Sequence, residues 1–305
     1  MKILIAEYTT TITQNSYLSR EGMAMVSTLR DSFERLGHTV VILPNNSDFN
    51  TGLERLAQQC DCGIVIAPDD ILSKYTHTLE TLTHNLGSDS TCIAVCANKR
   101  LTSKILSSIG INVPKEVGTD YNGKRVIKPI KGCGSIGVRI AKPNETPTKD
   151  EMMVEFVEGT HYSVSLVGSR VVGDACEYYS GLPPVILTIN TQNYKIDGDG
   201  CITYCGGETP IHPVNELEII RVAKQTAERL GCQGYVGIDM VVSDKIWVID
   251  VNPRPTLSIV GISKVLVDEI ADILIKSSFG NPPDHVNFNG KTIKFNENGE
   301  DISSI

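Results

Sequence analysis

The chain has 305 residues, of which 41% are hydrophobic and 21% are charged, and its formal net charge is -8. This is the composition of an ordinary globular protein, which buries a core without disulfides. The negative charge argues against nucleic acid as a partner, because phosphate backbones are bound by basic surfaces. Because the charge argues against nucleic acid, the sequence predicts small-molecule substrates. No apolar run approaches the roughly 20 residues that span a bilayer, so the sequence also predicts a cytoplasmic protein without membrane contact.

The nine cysteines include no CxxC pair. Cys92 and Cys96 have the same CxxxC spacing as Cys201 and Cys205, but no paired histidines follow at the distance of a zinc finger. The sequence therefore predicts reduced thiols that pack as small apolar side chains.

Short apolar runs alternate with helical patterns over the first hundred or so residues. Strands are predicted at Lys2 to Ala6, Thr39 to Leu43, Gly63 to Ala67 and Cys92 to Cys96, and helices at residues 21–36, 51–59 and 70–86. This order predicts a parallel sheet with right-handed crossovers in a Rossmann-like domain over residues 1–97. The first turn, at residues 7–11, has no glycine fingerprint, which argues against a dinucleotide site.

From residue 98 the pattern changes from α/β to α+β. Residues 98–160 are predicted to contain a short helix and a β-loop-β unit, and residues 161–280 to contain strands, one amphipathic helix that ends at Gly231, and a hairpin. Residues 281–305 have a weak pattern and are predicted to form an edge hairpin or a loose tail.

The most informative segment spans residues 237–255. If residues 244–245 form a two-residue hairpin loop, Asp239 pairs with Asp250, and Asn252 lies on the same face as Asp250. Carboxylates that face each other repel, and a divalent cation removes the repulsion. These oxygen donors suit Mg²⁺. The alternative is the solvated face of a surface hairpin.

The second informative segment is a glycine-rich loop that follows a strand ending near Lys128. Gly132, Gly134 and Gly137 match the spacing GxGxxG, but a strand follows instead of a helix, so the dinucleotide interpretation is excluded. The chain also lacks the GK[ST] of a P-loop. A β-loop-β unit exposes backbone N–H groups that cover phosphates, with Lys128 as a cation beside them. A structural turn is the alternative.

Over about residues 1 to 265 the chain resembles the ATP-grasp superfamily. The segments that carry the resemblance are, in order, Asn98-Lys99, Lys128 with its glycine loop, Glu155-Phe156-Val157-Glu158-Gly159, Asp239, and Asp250-Val251-Asn252-Pro253-Arg254-Pro255. The resemblance implies an ATP-grasp fold, in which a Rossmann-like domain is followed by two α+β subdomains that clasp ATP. It also implies a carboxylate-amine ligase that activates its acid as an acyl phosphate and releases ADP and phosphate.

The resemblance assigns a role to each candidate residue. The residues that would contact the phosphates are Lys99, Lys128, Lys131, Gly132, Gly134, Ser135 and Gly137. Those that would hold the adenosine are Glu155, Phe156, Val157, Glu158 and His161. His161 stands where many members have the glutamate that binds the ribose, and Glu158 is the alternative ribose contact. Two Mg²⁺ or Mn²⁺ ions would be bound by Asp239, Asp250 and Asn252. Arg254 and Lys128 would be catalytic, and Arg254 would steady the transferred phosphate and the acyl-phosphate intermediate.

Within the superfamily, three stretches are similar to the archaeal tyramine-glutamate ligases of methanofuran synthesis. They are Ile5-Ala6-Glu7-Tyr8, Glu21-Gly22-Met23-Ala24-Met25 and the string that continues from Asp250 to Thr256. This similarity implies L-glutamate as the acid and tyramine as the amine.

The sequence does not decide the other substrate contacts or exclude two other functions. Glu208 is a candidate for holding an ammonium group, or is an exposed loop acid, and Arg139 or Arg254 is a candidate for an α-carboxylate. The alternative functions are a ligase for a peptide or protein acceptor and an ATP-binding protein without catalysis. A homodimer is one candidate oligomeric state.

Overall fold

The N-terminal part of the chain folds around a parallel sheet. The computed structural model describes residues 1–12, 17–45, 48–169 and 182–303. The first elements are β1 (Lys2–Glu7), α1 (Tyr8–Ile12), α2 (Tyr17–Arg35), β2 (Thr39–Ile42), α3 (Phe49–Ala57), β3 (Cys62–Ile66), α4 (Asp69–Glu80), β4 (His84–Asn85), α5 (Ser90–Cys96) and α6 (Lys99–Ser108). The strands pair in parallel in the order β2-β1-β3-β4, so the predicted parallel sheet is confirmed. Strand β1 is central and buried on both faces, which explains its continuous apolar run.

The fourth predicted strand is wrong, because residues 92–96 lie in helix α5. The Asp89 side chain caps this helix by accepting hydrogen bonds from the backbone N–H groups of Thr91 at 2.9 Å and Cys92 at 2.8 Å. A short apolar run does not distinguish a buried strand from a short buried helix. The edge strand of the sheet is β4 instead. The sequence predicts a helix as far as residue 86, but α4 ends at Glu80 and β4 follows it.

Three buried thiols meet beside this helix. The Cys92 sulfur lies 4.0 Å from that of Cys96 and 3.7 Å from that of Cys232. All three are free thiols in one apolar core with Leu106 and Val236. Cys92 and Cys96 are therefore buried together with Cys232 in this core, with their sulfur atoms in mutual contact.

The rest of the chain adds two larger antiparallel sheets, and the predicted α+β part is confirmed. Its elements are β5 (Arg125–Pro129), β6 (Arg139–Ile140), β7 (Glu151–Glu155), β8 (Thr160–Gly168), β9 (Val185–Thr191), β10 (Tyr194–Ile196), β11 (Ile202–Tyr204), β12 (Gly207–Thr209), α7 (Glu216–Leu230), β13 (Gly234–Val242), β14 (Ile246–Asn252), α8 (Ser258–Val265), α9 (Ile270–Ser278) and β15 (Ile293–Phe295). One sheet has the order β6-β5-β7 and the other β14-β13-β8-β9. Over the ranges that the structure describes, no helix is both long and apolar enough to cross a membrane.

One apolar core joins the parallel sheet to the C-terminal helices. It contains Ile5 of β1, Leu29 of α2, Ile259 of α8 and Leu274 of α9. This core crosses the predicted domain boundary at residue 97. It holds helix α2 against the second half of the chain, so that one face of α2 borders the site described below.

The C-terminal segment forms an edge strand that turns back on itself, with Phe295 in an antiparallel bridge with Asp301, so the predicted edge hairpin is confirmed. Strand β15 pairs antiparallel with β12, and Phe295 is fully buried against Gly206 and Gly261. A Cβ on Gly206 would lie 2.0 Å from the Phe295 carbonyl oxygen, so glycine is required at this close approach. The tail is therefore attached to β12 through β15, while most of its other residues are exposed.

Candidate active site

A cavity of about 560 Å³ is lined by both larger antiparallel sheets, by the glycine-rich loop and by helix α2. The candidate residues that line it are Lys99, Lys128, Gly132, Gly134, Ser135, Glu155, Phe156, Val157, His161, Asp239, Asp250, Asn252 and Arg254. The structure thus brings together residues that are far apart in the chain. Three other candidates do not line the cavity and are exposed, namely Lys131, Gly137 and Glu158.

The hairpin of β13 and β14 places its carboxylates by a register that differs from the predicted one. Val242 pairs with Ile246, so the loop has three residues where two are predicted. A β-bulge then leaves Ile249 without a partner and shifts the register by one residue. Asp239 consequently pairs with Asp250, and the predicted pairing is confirmed although the predicted loop is wrong.

The bulge also provides an acceptor for Lys128. Because Ile249 has no cross-strand partner, its carbonyl oxygen accepts a hydrogen bond from Lys128 Nζ at 3.1 Å. Lys128 is buried, and burial lowers its pKa to about 8 although Asp250 acts in the opposite direction. It forms no ion pair with any residue that the structure describes. A buried cation of this kind is stabilised when an anion such as a phosphate enters the cavity.

Lys99 is the second buried lysine of the cavity. Its ammonium group donates a hydrogen bond to Asp250. Burial alone would lower the pKa of Lys99, but the attraction of Asp250, Asp69 and Asp239 raises it above its ordinary value. A positive charge is therefore held next to the paired carboxylates, where the resemblance implies a phosphate contact.

Asp239, Asp250 and Asn252 fit a divalent cation. Gln192 donates a hydrogen bond to Asp239 Oδ1 at 2.8 Å, and Asn252 donates one to Asp239 Oδ2 at 3.2 Å. Burial, with the facing Asp250 carboxylate, raises the pKa of Asp239 to about 7. Two carboxylates that resist joint ionisation are stabilised by Mg²⁺ or Mn²⁺, and hard oxygen donors are the ligands these ions prefer.

We expect metal affinity to depend on pH below about 7. Asp239 must lose its proton to bind a cation, so the apparent affinity for Mn²⁺ should fall as pH decreases below 7, approaching tenfold per pH unit. Above about pH 8 it should be nearly constant, because Asp239 is then ionised. Electron paramagnetic resonance of free Mn²⁺, titrated at pH 6, 7 and 8, measures the effect. The Asp239→Asn variant should bind Mn²⁺ more weakly, and its Mn²⁺ affinity should no longer depend on pH. If the Mn²⁺ affinity of the unmodified protein does not change with pH, the expectation is wrong.

Arg254 is held by a residue that the sequence did not select. Its Nε donates a hydrogen bond to Asp69 Oδ1 at 2.9 Å, and its Nη1 donates one to the Pro255 carbonyl at 3.2 Å. Both members of the ion pair are largely buried. Burial alone would lower the pKa of Arg254, but Asp69 raises it, so the guanidinium is charged. A signal for Asp69 exists in the sequence, since it follows the carboxyl end of a buried parallel strand, where ligand sites gather.

Four of the five adenosine candidates line the cavity, namely Glu155, Phe156, Val157 and His161. The Glu155 carboxylate accepts a hydrogen bond from the Lys115 backbone N–H at 3.0 Å, which fixes its orientation. The Lys124 ammonium lies 3.9 Å from the centre of the Phe156 ring. His161 is half-buried with its ring edge-to-face against Tyr194, and burial lowers its pKa, so it is neutral at pH 7.

The glycine-rich loop has the backbone geometry that glycine permits. Gly134 and Ser135 follow each other with φ of 64° and 59°, both in the left-handed region. Two short turns close the loop, with hydrogen bonds from the Ile136 N–H to the Cys133 carbonyl and from the Val138 N–H to the Ser135 carbonyl. Ile136 is 58% exposed at the tip, so the loop borders the cavity from its solvent side.

Neither Glu208 nor Arg139 is placed for the substrate contacts considered above. Glu208 lies in β12, with its carboxylate 3.9 Å from Lys294 Nζ, and does not line the cavity. The Arg139 guanidinium pairs with Glu145 at 2.8 Å and with Glu151 at 2.6 Å, also away from the cavity. Arg254 remains in the cavity, paired with Asp69.

Helix α2 and the strands β10 and β11 contribute lining residues that sequence reasoning missed. They are Tyr17, Glu21 and Met25 from the helix, and Tyr194 and Tyr204 from the strands. The spacing of four residues along α2 is the signal that places the first three on one face.

A parallel N-terminal sheet, followed by antiparallel sheets around a cavity with buried lysines, paired carboxylates and an arginine, defines the class of ATP-grasp proteins. A family model described as the ATP-grasp domain matches residues 96–258, and one described as the pre ATP-grasp 3 domain matches residues 23–93. The chain belongs to the ATP-grasp family.

Similar proteins extend this assignment over most of the chain. The tyramine-L-glutamate ligase of Methanocaldococcus fervens is 31% identical over 254 residues, which are 81% of this chain and 76% of that protein. The tyramine-L-glutamate ligase of Methanocaldococcus jannaschii is 28% identical over 86% of this chain and 74% of that protein. A crystal structure of an ATP-grasp superfamily protein from Archaeoglobus fulgidus matches with a TM-score of 0.75 and 26% identity, covering 96% of this chain and 92% of that one. The chain is therefore an enzyme of this family, a ligase.

Proposed function

We propose that the enzyme joins L-glutamate to tyramine with cleavage of ATP to ADP and phosphate. The observation that carries the proposal is the convergence of Lys99, Lys128, Arg254 and the Asp239–Asp250 pair on one cavity. The acid and the amine are taken from the tyramine-L-glutamate ligases that match 81% and 86% of the chain. ATP and two Mg²⁺ or Mn²⁺ ions are the proposed cofactors.

The first step transfers a phosphoryl group to the acid. A carboxylate oxygen of the acid attacks the γ-phosphorus of ATP, the bond from that phosphorus to the β,γ-bridging oxygen breaks, and ADP leaves an acyl phosphate behind. Negative charge spreads over the transferred group, and the cations of Lys99, Lys128 and Arg254 stabilise it. When bound by Asp239, Asp250 and Asn252, Mg²⁺ supplies further positive charge to the phosphate oxygens.

The second step forms the amide bond. The amine nitrogen attacks the acyl carbon, the bond from that carbon to the phosphate oxygen breaks, phosphate leaves, and the nitrogen gives up a proton. The mechanism requires no covalent intermediate on the protein. The cavity-lining thiol of Cys133 is unsuited to such a role, since burial raises its pKa and keeps it protonated at neutral pH.

The proposal is tested by measuring ADP, phosphate and amide product from purified enzyme with MgATP. We expect equal amounts of ADP and glutamyl amide when L-glutamate and tyramine are both present, and little ADP when either is omitted. Turnover with a different acid and amine, or with a peptide or protein acceptor, would keep the ligase and overturn these substrates. Binding of MgATP without any turnover would instead support the alternative of a protein that has lost catalysis.

Several features of the enzyme stay predictions from the sequence. They are the role in methanofuran synthesis, the cytoplasmic location, the homodimer, and the domain limits at residues 97, 160 and 280.

A further inference from the structure

Helix α2 presents one acidic side chain to the cavity. Tyr17, Glu21 and Met25 are spaced by four residues, so they lie on one face of the helix, and all three line the cavity. Tyr194 and Tyr204 also line it, with their rings edge-to-face at 5.7 Å. This part of the cavity therefore combines a carboxylate with aromatic walls.

Glu21 has no cationic partner at ion-pair distance in the part of the chain that the structure describes. Its carboxylate interacts with the Tyr17 hydroxyl by a side-chain hydrogen bond, and it feels the charge of Arg254, whose guanidinium is paired with Asp69. Burial raises the pKa of Glu21 above its usual range. A carboxylate that has lost water is stabilised when a ligand brings a positive charge to it.

The neighbouring carboxylate of Glu7, unlike that of Glu21, already has several hydrogen-bond donors within the protein. Glu7 is buried at the end of β1, and its oxygens accept hydrogen bonds from the backbone N–H groups of Thr9 at 3.1 Å and Thr10 at 2.6 Å. The Thr9 hydroxyl donates a third at 2.7 Å. Glu7 thus caps helix α1 and has a structural role, whereas Glu21 remains available to a ligand.

We propose that Glu21 binds a primary ammonium group of a substrate, in a subsite whose walls are Tyr17, Tyr194 and Tyr204. The inference rests on the proposed ligase function, because it names a group that the same cavity recognises. Carboxylates form strong charge-assisted hydrogen bonds with ammonium groups, and tyrosine rings attract the cation and cover the apolar stem. The reaction supplies two such groups, the α-ammonium of the acid and the incoming amine, and the carboxylate suits either.

The test compares Glu21→Gln with Glu34→Gln, which makes the same change at an exposed position of the same helix. Glutamine keeps an acceptor for the Tyr17 hydroxyl, so Glu21→Gln should fold, and its melting temperature should match that of the control. In one assay hydroxylamine replaces the amine and traps the acyl phosphate as a hydroxamate, with L-glutamate or glutarate varied. In the other assay amide formation is followed with tyramine varied at saturating L-glutamate.

We expect Glu21→Gln to lower kcat/KM about 10-fold to 100-fold for the substrate that provides the ammonium group, with the KM for ATP unchanged. A loss in the hydroxamate assay, with loss of the preference for L-glutamate over glutarate, assigns the group to the acid. A loss only in the amide assay assigns it to the incoming amine. If Glu21→Gln behaves as Glu34→Gln does in both assays, the proposal is overturned.

A titration separates failure of this inference from failure of the proposed function. If the unmodified enzyme forms neither hydroxamate nor amide from these substrates, the proposed reaction is wrong. Calorimetric titration of L-glutamate and of tyramine into the MgADP-bound protein then measures the affinity for each compound without turnover. Weaker binding of either compound by Glu21→Gln than by Glu34→Gln supports the ammonium subsite, and equal binding of both by the two variants overturns it.

Discussion

Replacing Asp250 by asparagine is expected to lower the turnover of ATP by at least about 1000-fold. Asp250 faces Asp239 across the hairpin and also accepts the hydrogen bond of Lys99. Asparagine retains the shape and one acceptor oxygen for Lys99, but it removes a negative charge from the proposed metal site. Steady-state kcat with L-glutamate and tyramine measures the effect, and the increase in melting temperature caused by MgADP should also be lost.

The matched control for this prediction is Asp244→Asn in the loop of the same hairpin. Asp244 is exposed and does not line the cavity, so the same loss of charge there should leave kcat and the MgADP effect unchanged. A kcat for Asp250→Asn within about tenfold of the unmodified enzyme would mean that Asp250 does not hold an essential cation.

The second large effect is expected for Arg254→Lys, which should lower kcat about 100-fold to 1000-fold. Lysine keeps the positive charge for buried Asp69 but cannot present the planar set of donors that guanidinium offers to a phosphate. Alanine is less informative, because an unpaired buried Asp69 would lower the free energy of unfolding by about 3–5 kcal/mol. Measurement of kcat together with thermal unfolding separates the catalytic loss from destabilisation.

Asp69→Asn tests how Arg254 is positioned. This variant keeps a hydrogen-bond acceptor and removes the charge, so we expect a smaller decrease of kcat, about tenfold, with little change in the KM for ATP. In the double variant with Arg254→Lys the two effects should not add, because the residues act as one unit. Arg221→Lys, in an exposed pair with Glu218 on α7, is the control and should not change kcat. If the two decreases of kcat are additive in the double variant, Asp69 does not act through Arg254. If kcat of Arg254→Lys lies within threefold of that of the unmodified enzyme, the role of Arg254 in stabilising the transferred phosphate is contradicted.

Much of the site was predictable because its signals are local. Side chains alternate along a strand, so a hairpin with Asp250 and Asn252 two residues apart places both on one face, and facing carboxylates indicate a cation site. Lys128 and its glycine-rich loop are likewise contiguous, and the strand after the loop excluded a dinucleotide site. The parallel sheet followed from the alternation of apolar runs with helical patterns.

The local geometry of several elements depended on details that periodicity does not contain. The hairpin loop has three residues, and only the bulge at Ile249 restores the pairing of Asp239 with Asp250. Residues 92–96 have the composition of a strand, but they form helix α5, which the Asp89 side chain caps. In both places the apolar pattern fits the predicted and the observed structure equally well.

The contacts between distant segments were decided by the tertiary structure alone. Asp69 pairs with Arg254 across 185 positions, and the shared core places the face of helix α2 with Glu21 against the same cavity. By itself, the sequence determined which residue types stand on which face of each strand and helix, since strand and helix periods are properties of the local backbone. Which faces then meet depends on the summed packing of the whole chain, and no short pattern encodes that sum.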